Sequence, residues 1–244
     1  MSGAPLPLLG TFHELSLAVP DVRASVDFYE RLGFTQATTA DTFAHPYGVL
    51  TDGRLVIGLH QRPGPSTVLT FVRPGVASAL PSFANAAIEL TVCRTGDEVF
   101  NEVGFEDPFG HAVAVLEART YSPPDRPETE VSLCGDFAEV SLPASDFAAA
   151  QAFWEPLGFV AAAEAQSPYP HLALTSDHLD VAFHRPRLQM QPMLVFREPD
   201  MAARIARLHE HGFGLRPALP ESQTPGAFLE SPDGTTLLLL AGDE

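Results

Sequence analysis

The sequence contains no lysine, so all 14 of its basic residues are arginine. This absence excludes a Schiff-base lysine and a lysine that clamps a phosphate group. Asp and Glu number 31, and the formal net charge is −17. Because a charge of this sign repels phosphate backbones and anionic lipid, we expect neither nucleic acid nor a membrane surface as a partner.

Cysteine is scarce, and long apolar runs are missing. Cys93 and Cys134 show no metal-type spacing, and we expect free thiols rather than a disulfide. No apolar stretch is long enough to span a bilayer, and residues 1–12 lack the pattern of a signal peptide. Phosphate loops, dinucleotide fingerprints and Ser–His–Asp patterns are also missing. These absences predict a cytoplasmic protein without an organic cofactor.

What the sequence does contain is a long internal repeat. Residues 28–34, Phe-Tyr-Glu-Arg-Leu-Gly-Phe, return as residues 153–159, Phe-Trp-Glu-Pro-Leu-Gly-Phe. The turn Asp107-Pro108-Phe109-Gly110 likewise returns as Ser231-Pro232-Asp233-Gly234. A repeat of this length indicates a duplicated domain rather than a solenoid. We therefore predict one domain over 1–120, a proline-rich linker over 121–135 and a second domain over 136–244.

The apolar pattern predicts the same element order in each half. Leu15, Leu17 and Val19 alternate with polar residues, which is typical of a strand with two different faces. Asp21 then caps a helix that Gly33 ends, and three short strands follow. A second unit of this kind begins near Thr67. The fold class predicted is α+β, with four βαβββ modules in two pairs.

At these motifs the chain resembles the vicinal oxygen chelate superfamily, which includes glyoxalase I, bleomycin-resistance proteins and extradiol dioxygenases. The resemblance rests on Val19-Pro20-Asp21, on residues 25–34 and on the turn at 107–110, together with their repeats at 145–159 and 231–234. It implies that each pair of modules curls into a cup, so that the chain forms two tandem cup-shaped domains. Because this fold hosts several reactions as well as drug binding, it does not define an activity.

The resemblance also implies where a metal would bind. In the family the ligands are a His or Gln early in a module's first strand and a Glu in its last strand. The first-strand positions correspond to Glu14 and Glu139, and the glutamate positions to Ala114 and Leu238. The remaining positions fall near Val68, Met193, Gly58 and Ala182. Since a catalytic divalent site needs at least three convergent ligands, we expect no metal in either cup.

Strand alternation predicts which polar residues line the cups. Pairing a Glu with a His beside an apolar cavity would tune both groups for acid–base chemistry, so the candidate catalytic residues are Glu14, His60, Glu139 and His184. The alternative is that these residues are solvated or hydrogen-bonded strand ends. The predicted ligand-binding residues are Glu14, Ser16, Gly58 and His60 in the first cup and Glu139, Ser141, Asp180 and His184 in the second.

The remaining histidines and aromatics receive separate predictions. His45 and the other histidines do not form a ligand-spaced cluster, and we expect His111 to be exposed. Tyr29 and Trp154 occupy the helix's apolar stripe and are expected in the core. Residues near the predicted cup openings, which could stack on a planar ligand, are Phe43, Tyr47, Tyr169 and Phe228.

Three interpretations of function follow. The first is a metal-independent protein that binds a small, largely apolar or aromatic metabolite or antibiotic. The second is a lyase, isomerase or dioxygenase-type enzyme that uses Glu and His for acid–base chemistry or a shifted metal site. The third has one functional cup and one structural cup. Duplication allows a monomer to complete both cups, and a homodimer is equally compatible with the sequence.

Overall fold

The structure is a computed structural model that describes residues 7–39, 43–118, 132–219 and 225–242. Most of the predicted linker, residues 121–131, lies outside these ranges. Its last part, residues 132–135, is folded against the first half, where the amide of Leu133 donates to the carbonyl of Leu32. The predicted domain boundaries remain predictions.

The first half contains two βαβββ modules. The first begins with a long strand and a helix, and the second repeats this order. The elements are β1 (Thr11–Ala18), α1 (Val22–Arg31), β2 (Thr35–Gln36), β3 (Tyr47–Thr51), β4 (Val56–His60), β5 (Thr67–Arg73), α2 (Val76–Asn85), β6 (Leu90–Arg94), β7 (Glu102–Glu106) and β8 (Ala112–Glu117).

The second half repeats the plan, with a short 3₁₀ turn at Glu155–Leu157 after its first helix. Its elements are β9 (Asp136–Pro143), α3 (Phe147–Trp154), β10 (Val160–Ala161), β11 (His171–Thr175), β12 (Val181–His184), β13 (Met193–Glu198), α4 (Met201–Glu210), β14 (Leu215–Pro217), β15 (Gly226–Glu230) and β16 (Thr236–Ala241).

Each half forms one eight-stranded sheet, and the two sheets have the same strand order. The first runs β2-β3-β4-β1-β5-β8-β7-β6 and the second β10-β11-β12-β9-β13-β16-β15-β14. Within a module the first and last strands pair in parallel, whereas the two modules join through an antiparallel pair, β1 with β5 or β9 with β13. The prediction of an α+β fold with four βαβββ modules in two tandem domains is confirmed.

Local sequence explains where the first helix of each half begins. Asp21 and Asp146 have extended backbones, and each side chain accepts hydrogen bonds from two amides of the helix that follows. These bonds satisfy N–H groups that have no partner inside the helix. The first turn therefore sits at the same place in both halves and directs the aromatic stripe of the helix inward.

The two halves share one hydrophobic core on the helix-covered faces of their sheets. The rings of Phe28 and Phe213 pack edge to face across the halves at 5.7 Å, and Trp154 donates its indole N–H to Asp107 at 3.2 Å. Tyr29 and Trp154 are fully buried, as predicted. Because the helices face each other, the opposite, concave face of each sheet points outward.

Three further expectations can be compared with the fold. The expectation that His111 is exposed is wrong, because its side chain is 9% exposed and its Nδ1 lies 2.8 Å from Oδ2 of the buried Asp107. This carboxylate holds both His111 and Trp154 at the junction of the halves. Cys93 and Cys134 are both free. Among the described residues, no helix combines the length and hydrophobicity that crossing a membrane requires.

Candidate functional site

The concave face of the first cup carries a row of polar side chains on its two central strands. On β1, Leu15 and Leu17 are buried in the core, so Glu14 and Ser16 point to the opposite face. On β5, Thr70 lies directly opposite Glu14 in the antiparallel register. All three polar residues are buried, so none of them is a solvated strand end.

Glu14 is the centre of this polar network. Its Oε1 lies 2.6 Å from the hydroxyl of Ser16 and 2.9 Å from Nε2 of His60, and its Oε2 lies 2.6 Å from the hydroxyl of Tyr47. The side chains of Glu14 and His60 are 3% and 4% exposed. The structure thus brings together the Glu14 and His60 predicted from the sequence and adds Tyr47 and Thr70 to them.

Gly58 makes room for the Glu14 carboxylate. A Cβ atom built on Gly58 would lie 2.2 to 2.3 Å from the carboxylate atoms of Glu14, which is far inside van der Waals contact. Because Gly58 has no side chain at this position of β4, the Glu14 carboxylate can extend over β4 towards His60. Gly58, predicted as a ligand contact, lies beneath Glu14 instead of facing an open cavity.

The hydrogen bonds decide the charge of Glu14. Burial by itself would raise the pKa of this carboxyl, but donation from His60, Ser16 and Tyr47 outweighs it and holds the pKa below its usual value. An ionised carboxylate can only accept, so Ser16 donates to it. The Ser16 oxygen, 2.7 Å from the Thr70 hydroxyl, therefore accepts a hydrogen bond from Thr70.

Four rings cover the Glu14 carboxylate, and we call Phe43, His45, Tyr47 and His60 the aromatic cluster. The ring of Phe43 lies 4.5 Å from that of Tyr47 and 5.0 Å from that of His60, and Nε2 of His45 lies 3.0 Å from Nδ1 of His60. Phe43 is exposed, whereas His45 and Tyr47 are half-buried. Sequence reasoning did not single out His45, which lies in the bend just before β3.

The second cup does not reproduce this arrangement. His184 lies with its Nδ1 2.8 Å from the Ser141 hydroxyl and its Nε2 2.9 Å from the carbonyl of Gln189. Because a carbonyl only accepts, Nε2 carries the proton and Nδ1 accepts from Ser141. Ala182 stands where the first cup has Gly58, and its Cβ occupies the space that Glu14 uses. The structure therefore does not bring Glu139 and His184 together.

Glu139 is buried without the donors that serve Glu14. Its Oε1 has no hydrogen-bond partner among the described residues. Burial raises its pKa, and the opposing charges of Arg197 and His171 offset this effect only in part. Asp180 is exposed at the start of β12, and its charge raises the pKa of Glu139 further. The second cup thus holds a carboxyl with a raised pKa, whereas the pKa of Glu14 in the first cup is lowered.

The concave faces also differ in how far they are filled. In the first cup, Val68, Ala112 and Ala114 are partly exposed on adjacent strands. In the second cup, Leu238 occupies the place of Ala114 and is fully buried. The side chains that fill the second cup form a separate apolar cluster of Tyr169, Met193, Val195, Ala218, Phe228, Leu238 and Leu240, against which Leu188 and Leu219 pack.

Two clefts lie away from both concave faces. One, of about 200 Å³, is lined by residues that include Leu9, Phe71 and Val160, and the other, of about 390 Å³, lies between Thr67 and Gln191. Neither is lined by Glu14, His60, Glu139 or His184. The chemistry of the described residues is concentrated on the first concave face, which makes that face the candidate site.

The fold and these concave faces define a tandem vicinal oxygen chelate protein. Residues 11–115 match the sequence profile of the glyoxalase/bleomycin resistance protein/dioxygenase superfamily. This match covers the first half of the chain, and the second half repeats its strand order. No curated protein matches the sequence.

Solved structures with this fold include three ring-cleaving dioxygenases. A catechol 2,3-dioxygenase is 16% identical with a TM-score of 0.63, and the match covers 98% of this chain and 94% of that one. The 2,3-dioxygenase LapB from Pseudomonas sp. KL28 is 14% identical with a TM-score of 0.66, covering 99% and 94%. A variant of homoprotocatechuate 2,3-dioxygenase from Brevibacterium fuscum is 15% identical with a TM-score of 0.63, covering 99% and 74%. Identities this low show a common fold.

The residues present do not fit the metal of this superfamily. Glu14 directs its carboxylate to three protein donors, and both nitrogens of His60 are engaged, one by Glu14 and one by His45. Ala114 and Leu238 supply no ligand atom at the glutamate positions. Within the described ranges, no group of three His, Cys, Asp or Glu side chains converges in the geometry of a metal site.

We expect Gly58→Ala to disrupt the polar network of the first cup. The new methyl group would displace the Glu14 carboxylate from His60, leaving buried polar groups unpaired at a cost of about 2 kcal/mol or more. The free energy of unfolding, measured by urea denaturation, and the ring NMR signals of His60 check this. The matched variant Ala182→Gly should cost less, because it loses one buried methyl group and gains backbone freedom but leaves no polar group unpaired. Equal effects of both variants would contradict the role assigned to Gly58.

His184 should make the protein less stable in acid. Burial lowers its pKa from 6.5 to about 4, so the unfolded chain binds this proton more readily than the native state. Stability contributed by neutral His184 is therefore complete above pH 6.5 and is lost as the pH falls towards 4, by about 3 kcal/mol. Urea denaturation across this range should show a smaller acid loss in His184→Gln, which keeps a donor for Gln189 but does not titrate. Parallel pH curves for both proteins would refute this assignment.

Proposed function

We propose that the first cup binds a small, largely apolar, aromatic ligand without a metal ion, and that the second cup is structural. The observation that supports this most is the contrast between the two concave faces. Ala112 and Ala114 leave a shallow floor beside Thr70 in the first cup, whereas the corresponding region of the second cup is filled by its own apolar side chains. A partly exposed apolar floor with a few polar anchors is typical of small-molecule sites.

The polar groups around this floor favour a ligand that can hydrogen-bond. Thr70 donates to Ser16, so its oxygen presents lone pairs and accepts from a ligand N–H or O–H. Phe43 and Tyr47 offer ring faces for stacking at the edge of the cup. A hydroxylated aromatic ring combines a flat apolar surface with such a donor, and phenols are therefore the ligand class that these contacts suit.

The alternative function is acid–base catalysis in the same cup, as a lyase, isomerase or dioxygenase-type enzyme of the superfamily. One observation favours it, namely that Glu14, His60 and His45 form a continuous hydrogen-bonded chain from the buried carboxylate to a half-buried imidazole. Such a chain is suited to accepting a proton from a bound molecule. Binding and catalysis share the site, so the same experiments address both.

The negative charge of the chain bears on its partners and location. A net charge of −17 disfavours nucleic acid and anionic membrane surfaces, and we propose that the protein works in the cytoplasm on small molecules. Either a monomer or a homodimer is compatible with this function, because each half pairs its own two modules.

Filling the floor of the first cup should abolish binding. We expect Ala114→Leu, which introduces the residue that the second cup carries at Leu238, to weaken binding of catechol or phenol by at least about tenfold. Titration followed by protein NMR would measure the affinity and map the contacts to Val68 and Thr70. The control Ala202→Leu makes the same change on the exposed face of α4 and should leave binding unchanged. Unaltered affinity in Ala114→Leu would reject the first cup as the site.

We expect protein purified without chelators to contain less than about 0.1 equivalents of iron, manganese, nickel or zinc, since three convergent ligands are needed to hold such an ion. Elemental analysis measures the metal, and catechol titrations with and without a chelator should give the same affinity. About one tightly bound metal per chain that is lost in Glu14→Ala would overturn the metal-free proposal.

A further inference from the structure

The hydrogen-bonded chain in the first cup has an outward end that none of the described residues occupies. Glu14 accepts from Nε2 of His60 at 2.9 Å, and Nδ1 of His60 lies 3.0 Å from Nε2 of His45. Nδ1 of His45 has no hydrogen-bond partner among the described residues, and the side chain is half-buried at the edge of the cup. The chain therefore runs from a buried carboxylate to an imidazole nitrogen that a ligand could reach.

The chemistry of the three groups sets the direction of every proton in this chain. Ionised Glu14 only accepts, so Nε2 of His60 carries a proton. In neutral His60, Nδ1 then carries no proton, and it accepts a hydrogen bond from the Nε2–H group of His45. A neutral His45 that donates through Nε2 carries a lone pair on Nδ1. This tautomer leaves a base, not a donor, at the outward end.

We propose that His45 is the residue of the first cup that accepts a proton from the bound ligand, with His60 and Glu14 as positioning residues behind it. This inference rests on the proposed function of the first cup and names the class of its ligand, an aromatic molecule with a weakly acidic hydroxyl group. The ligand O–H bond breaks and an N–H bond forms at Nδ1 of His45. The Nε2 proton of His45 passes to Nδ1 of His60, and the ligand remains as the phenolate.

The charges around the hydrogen-bonded chain favour a proton on Nδ1 of His60. After transfer, a cationic His60 lies against the Glu14 carboxylate, so that the buried pair is neutral overall. The titratable and charged groups that face His45 and His60 are Glu14 from β1, Tyr47 from β3 and Arg62, which follows β4. Desolvation, and then the nearby His60 and Arg62, lower the pKa of His45, so His45 passes the proton inward instead of keeping it.

The comparison between the cups supports a role in proton transfer for the hydrogen-bonded chain of Glu14, His60 and His45. In the second cup both ring nitrogens of His184 are engaged, one by Ser141 and one by the carbonyl of Gln189, so among the described residues neither of them bonds to another imidazole. In the register of β11 with β12, His171 takes the place of Tyr47 opposite His184, and Tyr169 lies where His45 would be. The proton-accepting chain thus occurs in the cup whose floor is open and not in the cup that is filled.

A ligand-free experiment tests the chain itself. Long-range ¹H–¹⁵N NMR of the full-length protein reports the tautomer of each histidine, and we expect the Nε2–H form for both His45 and His60 at neutral pH. On acidification, the ring signals of His45 and His60 should shift together as one proton enters the pair. His60→Gln should uncouple His45 from this titration, while His209→Gln, a change on the exposed face of α4, should not. A proton on Nδ1 of His45 at neutral pH, or independent titration of the two rings, would overturn the inference.

A chromogenic phenol tests proton transfer from a ligand. With 4-nitrophenol at a pH where the free dye is mostly neutral, the wild type and His209→Gln should bind it as the yellow phenolate. His45→Gln keeps a donor for His60 but cannot accept the proton, so its bound dye should stay colourless and bind about tenfold more weakly. Equal phenolate formation in His45→Gln and wild type would overturn the role of His45. Failure of the wild type to bind the dye would reject the aromatic ligand of the proposed function, and the NMR titration alone would then decide whether the chain accepts a proton.

Discussion

The structure depends on the packing of the two helix-covered sheet faces against each other. Each half directs the apolar stripe of its first helix into one shared core, and contacts such as Phe28 with Phe213 and Trp154 with Asp107 cross between the halves. Since the inner faces are used for this core, both concave faces are left to point outward. Burial of apolar area there supplies the main stabilising free energy, which leaves the concave faces able to carry buried polar networks.

Small changes at equivalent positions have given the two concave faces different properties. Where the first cup has Gly58, Thr70 and Ala114, the second has Ala182, Val195 and Leu238. In the first cup Gly58 lets the Glu14 carboxylate lie against the sheet, where it is ionised. In the second cup Ala182 occupies this space, and the pKa of Glu139 is raised. Replacing the small floor residue by leucine also fills the cup. The two halves share one strand order, and differences of a few methyl groups give their concave faces different side-chain contacts.

The similarity to dioxygenases concerns the fold, and in the first cup the polar side chains are hydrogen-bonded to one another. A metal centre orders carboxylate and imidazole ligands around one cation, which supplies the charge that balances them. Here the balancing interactions are hydrogen bonds from Ser16, Tyr47 and His60 to one carboxylate. These three donors occupy most of the acceptor sites of the Glu14 carboxylate, and its negative charge stabilises a proton on the adjacent imidazole. The same backbone cup can therefore support proton transfer without a metal.

The sequence by itself determined the architecture, because helices, strands and turns follow from local periodicity and capping. The alternation of Leu15 and Leu17 with polar residues and the capping position of Asp21 recur in both halves, and both were sufficient to predict four modules in two domains. The same alternation placed Glu14 and His60 on one face.

Only the tertiary structure decided which of the repeated residues meet. The hydrogen bond of His45 with His60, the fit of Glu14 over Gly58 and the hydrogen bond of His184 with the carbonyl of Gln189 depend on the relative positions of side chains, which packing sets. Side-chain periodicity specifies a face, whereas a hydrogen bond or a clash depends on the relative positions of atoms that only packing fixes.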